Sequence, residues 1–575
     1  MCSATINNIF ACIKASNDLL CGARRCTVFV RIKKAGSNSY LQIVENQREG
    51  KAVHQRVIAT IGKADELIES GKLDAITRSF LKYTKAVQVV DAHRDGSLIA
   101  RRNRSLGPAL VFDRLWKDLG LPSVFEAMLQ GTRFRFSIER SVFLAVLHRL
   151  FCPGSDRSAE RWKDDFIIDG ADEIDLHHLY RAMDWLGHTS IQLGSDHFSH
   201  RCNMDEIEER LFERNKDLFT DMDLVFFDTT SIYFEGEGGQ DLGRRGHSKD
   251  SRPDLPQMIV GAILDGRGRP VCCEMWPGNV TDVTTLQPVV ERLTTRFGIA
   301  SLCIVADRGM VSNDTMTKLE SSELNLRYIL GVRMRKLGIF KDEHFPIDDS
   351  FIEVTPPRMK ASDPSPLKVS ERMIEGKRYI VCYNEEQARK DRHDREAIVE
   401  SLREKLKESD KNLVGNTGYR KYLAQHGEDH FDIDEGKIIE DARFDGIWIL
   451  TTNMPDPAAD IARHYKELWM VEDVFRSVKT VLRTRPVYHH NDGSIRGHVF
   501  CSFLALMLLK ELESRLAAHG EAYEWQDIKR DLTALQEIDV EMNGEPWTLR
   551  TELRGCCHDV LKATGVAVPQ RVKSS

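Results

Sequence analysis

At 575 residues the chain is longer than one hydrophobic core can serve, so several domains are expected. Its 41% hydrophobic and 29% charged residues argue for a globular and against a disordered chain, and no run reaches the roughly 18 apolar residues of a membrane span. The formal net charge of −7 excludes a uniformly basic nucleic-acid binder, so phosphate affinity would have to come from local clusters of Lys and Arg.

Three such clusters exist: Arg101-Arg102-Asn103-Arg104, Arg244-Arg245-Gly246-His247-Ser248-Lys249 and Arg333-Met334-Arg335-Lys336. Any one of them alone is more often a solvated face. The 13 cysteines include no C-x-x-C pair, which argues against a zinc ribbon and fits reduced thiols in a cytosolic protein. Cys272-Cys273 reads as strand packing, and His489-His490 lacks metal-ligand spacing.

In chain order, residues 1–26 carry no basic segment followed by an apolar core, so they read as a poorly ordered extension and not as a signal peptide. Residues 27–100 form a small β meander plus helix. Strands are expected at 27–33, 40–45 and 53–61, with a helix over 64–83. Residues 101–221 read as helices punctuated by Pro108, Pro122, Pro153-Gly154 and Gly187. That segment is either a DNA-contacting domain or a scaffold packed on the catalytic core.

Residues 222–333 alternate in an informative order. The run Leu224-Val225-Phe226-Phe227 ends in Asp228; strands at 257–264 and 270–276 follow, joined by Asp265-Gly266-Arg267-Gly268; then come a helix over 282–297, the run Leu302-Cys303-Ile304-Val305-Ala306 ending in Asp307, a short helix from Asn313 and a strand at 327–332. Three strands followed by alternating helices and strands is the order of an α/β ribonuclease-H-like mixed sheet. In that fold the first and fourth strands end side by side, which would bring Asp228 and Asp307 together.

Residues 334–445 interrupt the pattern with Pro356-Pro357, Pro364 and Pro366, a strand at 377–383, and a charged run with Ile398, Leu402 and Leu406 at helical spacing. They read as an insertion domain. Residues 446–485 return to the core with a strand at 446–452 and a helix over 457–482, and residues 486–575 read as a C-terminal helical region, in which the apolar stretch Val499 to Leu509 is a buried helix.

The helix over 457–482 carries a pattern of its own. At about 100° per residue, Tyr465, Glu472 and Lys479 line one stripe, Arg476 lies one turn beyond Glu472, and Val471, Phe475, Val478 and Leu482 form a neighbouring apolar stripe. A carboxylate between a phenol and two cations suits a metal beside phosphates. Alone, the segment fits a surface helix with i,i+4 ion pairs better. Three carboxylates brought together could hold Mg²⁺, because hard divalent cations take oxygen ligands.

Together these residues resemble the bacterial insertion-sequence transposases of the DDE class, in the branch whose third acid lies in a Y-x2-R-x3-E-x6-K signature. The match comprises Asp228 in D-T-T-S, Asp307 in A-D-R-G-M, and Tyr465, Glu472 and Lys479; Gly246-His247-Ser248-Lys249-Asp250-Ser251-Arg252-Pro253-Asp254-Leu255 and Pro277-Gly278-Asn279 before Asp282 extend it. It runs from about Val28 to Pro569, and it departs from the signature at Leu468, where arginine is expected.

The resemblance implies catalytic and metal-holding roles for Asp228, Asp307 and Glu472, with two Mg²⁺ ions for which Mn²⁺ can substitute. It further implies DNA contacts at Tyr465, Lys479 and Arg476. Lys249 and Arg252 either reach flanking DNA or close a loop salt bridge. The implied partners are double-stranded DNA, as terminal inverted repeats and target, and a second copy of the chain in the DNA complex; the implied location is cytoplasmic, with no membrane. Residues 1–25 would be upstream sequence from a misassigned start codon. Rival readings are a stand-alone metal-dependent nuclease and a catalytically defective DNA-binding derivative.

Overall fold

The computed structural model describes residues 28–49, 52–81, 92–189, 201–216, 224–299, 302–310, 316–317, 319–320, 326–332, 334, 350–354, 367–408, 419–425 and 431–574. The expectations for residues 1–26 and for the helix start at Asn313 lie outside them. The chain divides into two compact units, one of residues 1–102, 539–548 and 573–575, the other of 103–538 and 549–572.

In the first unit, β1 (Val28–Ala35), β2 (Asn38–Glu49) and β3 (Ala52–Lys63) form the expected antiparallel meander. The helix expected over 64–83 is two, α1 (Ala64–Glu69) and α2 (Lys72–Leu81), because Gly71 sits between them at φ +68°, a conformation a helix cannot continue through. Ala64 and Leu67 of α1 are buried.

The second unit opens with α3 (Gly107–Asp118), α4 (Leu121–Leu129), α5 (Ile138–Phe151), α6 (Asp156–Trp162), α7 (Leu176–Leu186) and α8 (Asn203–Arg214). Pro108 and Pro122 stand in the first turns of α3 and α4, where a missing N–H costs nothing. Side chains from these helices, from the sheet below and from the long C-terminal helix share one hydrophobic core. This continuity favours the scaffold reading of residues 101–221.

The sheet is mixed and nine-stranded. Its members are β4 (Leu224–Tyr233), β5 (Gln257–Asp265), β6 (Pro270–Pro277), β7 (Cys303–Ala306), β8 (Arg327–Gly331), β9 (Ile352–Val354), β10 (Leu367–Ile374), β11 (Lys377–Tyr383) and β12 (Ile447–Thr452), in the order β9-β10-β11-β12-β8-β7-β4-β5-β6. β7 runs parallel to both β4 and β8, and the other pairs are antiparallel. Helix α9 (Leu286–Thr295) adds Leu286, Val289, Val290 and Leu293 to a core shared with β4, β5, β7 and β8.

Residues 334–445, expected as an insertion domain, divide in two. β9, β10 and β11 lengthen the central sheet itself, through pairs such as Val381↔Ile449 with β12. The reason is burial: Tyr379, Ile380, Val381 and Cys382 are covered on both faces, so the strand needs a partner on each edge. The remainder, α10 (Glu385–Glu408) with a hairpin of Leu423–Gln425 and Phe431–Ile433, closes a small core around Val399, Leu402, Tyr422, Leu423 and Phe431.

Beyond the sheet come α11 (Ala458–Lys466), α12 (Trp469–Arg476), α13 (Asp492–Ala518), α14 (Trp525–Thr533) and α15 (Cys557–Ala563). The C-terminal region is not wholly helical. Strands Gln536–Met542 and Glu545–Arg550 flank Asn543 and Gly544, both at positive φ (55° and 81°), as a tight hairpin turn requires. Among the described residues no helix is long and apolar enough to cross a membrane.

Candidate active site

Val225, Phe226 and Phe227 are fully buried on both faces of β4, and the half-buried carboxylate of Asp228 follows them. All four residues of β7 are buried, and Asp307 follows the last. The parallel register pairs Phe227 with Ala306, so Asp228 and Asp307 come next, in step, on adjacent strands. The expected juxtaposition of the first two acids is present.

Each acid is already bonded. The Thr229 N–H donates to Asp228 Oδ1 at 2.7 Å, and Tyr465 Oη donates to Asp307 Oδ1 at 3.0 Å. Tyr465 reaches that far because position 331 lacks a side chain: a Cβ at Gly331 would lie 2.6 Å from the phenol oxygen. Burial, and then the charge of Asp307, push the Tyr465 phenol well above its ordinary range, so it remains a donor. Burial pushes the Asp228 carboxyl up to about 6; Lys249 and the Thr229 N–H pull against it, while Asp307 and Asp282 add repulsion.

Asp282 is a fourth carboxylate that the sequence reading did not mark as functional. It accepts from Thr229 Oγ1 at 2.7 Å and lies 3.2 Å from Lys249 Nζ. Its sequence signal was weak, because no apolar run delivers it; it stands in a turn after Pro277-Gly278-Asn279. Lys249, expected either to reach flanking DNA or to close a loop salt bridge, points at the acids. Its ammonium donates to the Thr229 carbonyl at 2.7 Å and Thr229 Oγ1 at 2.9 Å, and lies 3.9 Å from Asp228 Oδ1.

The segment from Tyr465 to Lys479 departs from the single helix expected. α11 ends at Lys466, and the N–H groups of Leu468 and Met470 bond to carbonyls three residues back, at 3.1 and 3.0 Å, tightening the chain before α12. A π turn, Ser477–Val481, then carries Lys479. One stripe at 100° per residue therefore does not describe these residues. Tyr465 lies at Asp307; Glu472 is exposed on α12, which packs on β4 and β5 and buries Val471, Val474 and Phe475.

Lys479 donates to Asp250 Oδ1 at 2.8 Å, and Arg485 meets Asp250 Oδ2 at 2.5 Å. Burial lowers the Lys479 ammonium from its ordinary range, and Asp250 opposes that shift. Neither Asp250 nor Arg485 was marked from sequence. Arg476 is 68% exposed and pairs with Asp473 at 3.4 Å, whereas Leu468 is buried in the core. Arg252 pairs with Asp254 at 2.9 Å over the Tyr233 ring, which is the loop salt bridge foreseen as its alternative.

Among the described residues, the ligand atoms of Asp228, Asp307 and Glu472 do not all lie within 4.8 Å of one another; those of Asp175, His177 and His178 do, at the start of α7, where Asp175 and His178 form a capping box. The donor set on β4 and β7 still fits a hard divalent cation. It is all oxygen, and it brings the carboxylates of Asp307 and Asp282 near enough to Asp228 to add their repulsion to the larger effect of burial.

These features define a mixed α/β protein that sets one aspartate midway along β4, which runs on to Tyr233 past the end expected at Asp228, beside another just after the end of β7, and compensates them with a lysine. The chain belongs to the DDE transposases of bacterial insertion sequences: a family model described as Transposase DDE domain matches residues 219–508, just over half its length, and one described as IS1634 family transposase, N-terminal domain, matches residues 29–91. Domains of this family generally use divalent metal ions.

A curated relative, "Putative transposase y4zB" of Sinorhizobium fredii strain NGR234, is 33% identical over 89 residues, which is 15% of this chain and 25% of that protein. The chain thus spans about a quarter of the length of the curated relative it matches. Among solved structures, "Mos1 transposase paired-end complex with left transposon end" is similar at 12% identity, covering 35% of this chain and 60% of that one with a TM-score of 0.13.

Proposed function

We propose that the chain is an active DNA transposase with a ribonuclease-H-like core, which cuts double-stranded DNA at the terminal inverted repeats of an insertion sequence and joins the freed 3′-hydroxyl to target DNA. It acts in the cytoplasm, as a homodimer, because two ends must be joined together. The observation that carries this reading is the placement of Asp228 and Asp307 in step on adjacent parallel strands, each carboxylate already fixed by a hydrogen bond.

Asp228, Asp307 and Glu472 would hold two Mg²⁺ ions, or Mn²⁺ in their place, which supply Lewis acidity and an activated attacking oxygen when bound. Tyr465 fixes the orientation of the Asp307 carboxylate by donating to one of its oxygens. Lys479, held by Asp250, provides positive charge close to the acids for a DNA phosphate, and Arg485 shares that anchor. Such positioning and charge neutralisation carry most of phosphoryl transfer, so no covalent protein intermediate is needed.

The deciding experiment supplies purified protein with a marker flanked by the inverted repeats found beside its gene, a separate target plasmid and Mg²⁺. Joining of the marker to the target supports the proposal. Nicking without joining would indicate a nuclease, and binding without nicking a defective derivative.

A further inference from the structure

Lys249 and Asp250 are adjacent, opposite in charge, and engaged with opposite parts of the site. The Lys249 ammonium has three hydrogens, and partners for all three lie on the acid side: the Thr229 carbonyl at 2.7 Å, Thr229 Oγ1 at 2.9 Å and Asp282 Oδ2 at 3.2 Å. The Thr229 hydroxyl donates to Asp282 Oδ1 at 2.7 Å, which leaves its lone pairs free to accept from Lys249, so the directions of all these bonds agree.

The loop behind the ammonium is fixed. The Lys249 N–H donates to Ser231 Oγ at 2.9 Å, Asp250 is 7% exposed between Lys479 and Arg485, and a Cβ at Gly246 would lie 2.0 Å from the Gly278 carbonyl oxygen. The backbone therefore cannot move far, but the end of a four-carbon side chain can. Lysine is a compact point charge on a flexible stem, suited to exchange in a way that a forked guanidinium is not.

We infer that Lys249 is the internal counter-ion of the acids and gives up its place beside Asp228 and Asp282 when a divalent cation binds. The inference rests on the proposed reading of Asp228 and Asp307 as metal ligands. A unit positive charge 3.9 Å from Asp228 repels a divalent ion that uses the same carboxylate, at a cost that stays large wherever water is partly excluded. The ammonium must rotate away, and a DNA phosphate arriving at the site offers it a new partner. Lys249 is thus a positioning residue that keeps the acids compensated before metal and DNA arrive and couples the binding of the two.

The test is equilibrium binding of Mn²⁺ to the full-length protein at pH 8 without DNA, read by electron paramagnetic resonance of the free ion. Lys249→Gln, which can still hydrogen-bond to Thr229 and Asp282 without the charge, should bind Mn²⁺ about tenfold more tightly than the parent. Lys249→Arg, which keeps the charge on a fork that exchanges less readily, should bind no more tightly than the parent. Lys249→Met provides the same neutral comparison if the glutamine variant fails to fold. Neutral variants that bind no more tightly than the parent, or an arginine variant as tight as the glutamine one, overturn the inference. Asp228→Asn separates the two levels: it should weaken Mn²⁺ binding, and if it leaves binding unchanged, the metal-site reading itself fails and the inference falls with it.

Discussion

Two clusters in this molecule each set several carboxylates around a single cation, and only one sits where chemistry can occur. In the first, Arg292 on α9 meets Asp205 at 3.0 Å, Glu208 at 2.5 Å and Glu274 at 2.7 Å, and its own side chain is 5% exposed. Glu208 also accepts from the Cys273 N–H at 3.0 Å. In the second, Lys249 faces Asp282 and Asp228 with its side chain 30% exposed. Burial pushes the Glu208 carboxyl up to about 8 and that of Asp228 only to about 6. Perturbation alone would therefore select the wrong cluster, because structural ion networks shift pKa values as strongly as active sites do. What separates them is the cation. Arg292 uses a planar fork to satisfy several acceptors permanently, whereas Lys249 offers an exchangeable charge at a solvent-facing rim.

The largest effect expected is on activity at the second cluster. Asp228→Asn should reduce DNA cleavage by at least about a thousandfold, as removal of a central catalytic group does, yet leave the metal-free fold intact. The sign of the stability change follows from linkage. The folded pKa of Asp228, about 6, lies above its unfolded value, so its stabilising contribution is complete below the unfolded pKa and is lost as pH rises towards 6. Asparagine removes that penalty, so the thermal midpoint of the metal-free variant at pH 8 should equal or exceed the parent's. A lower midpoint would place Asp228 with the structural cluster.

At the first cluster the effect should be reversed in kind. Arg292→Met leaves buried carboxylates without their cation and should cost about 3–5 kcal/mol, measured by urea denaturation. Part of that loss should return as pH is lowered from 8 towards 5, because protonation neutralises Glu208. Lys249→Gln should cost under about 1 kcal/mol in the same measurement. Equal losses in the two variants would erase the distinction between the clusters.

A smaller, graded effect concerns pH. Metal binding needs the Asp228 carboxylate deprotonated, so Mn²⁺ affinity should be level above pH 6 and fall by roughly tenfold per unit below it. Affinity that stays level down to pH 4.5 would show that Asp228 does not bind the ion.

The two clusters also differ in how far the sequence revealed them. Asp228 and Asp307 were legible because an apolar run that ends abruptly in a carboxylate is a local signal, and the order of strands around them put the two runs side by side; that β4 runs on past Asp228 to Tyr233 was not legible. Asp282, Asp250 and Arg485 were not, since each owes its place to a fold contact: Thr229 lies 53 positions before Asp282, and Asp250 lies 229 positions before Lys479. Lys249 was singled out, but its target could not be, for nothing local distinguishes a lysine aimed at acids from one aimed at DNA. The break between α11 and α12 carries neither proline nor glycine, so helical periodicity ran straight through it. The strand at 377–383 was visible, whereas its pairing with β12 depends on residues some 70 positions away. The hairpin at Asn543-Gly544 was readable from its turn and from the alternation of Ile538, Val540 and Met542, which the helical reading of residues 486–575 passed over.

The smallest effect should come from Arg476, the residue that sequence spacing placed beside Glu472. Its side chain is 68% exposed, its partner Asp473 is three residues away, and that pair is of the kind that contributes little at a hydrated surface. Arg476→Ala should change stability by less than about 0.5 kcal/mol and cleavage by no more than about threefold. Arg485→Ala removes a cation that is 26% exposed, rests against Tyr233 and is tied through Asp250 to Lys479, so it should lower cleavage by about tenfold or more. Because Leu468 is packed into the core, the chain has no room there for the signature arginine without repacking, and the charge must come from elsewhere if it is needed. Measuring both alanine variants on the same DNA ends decides where. A large loss at Arg476 with none at Arg485 would return the missing charge to the exposed face of α12 and detach the Asp250 anchor from the chemistry.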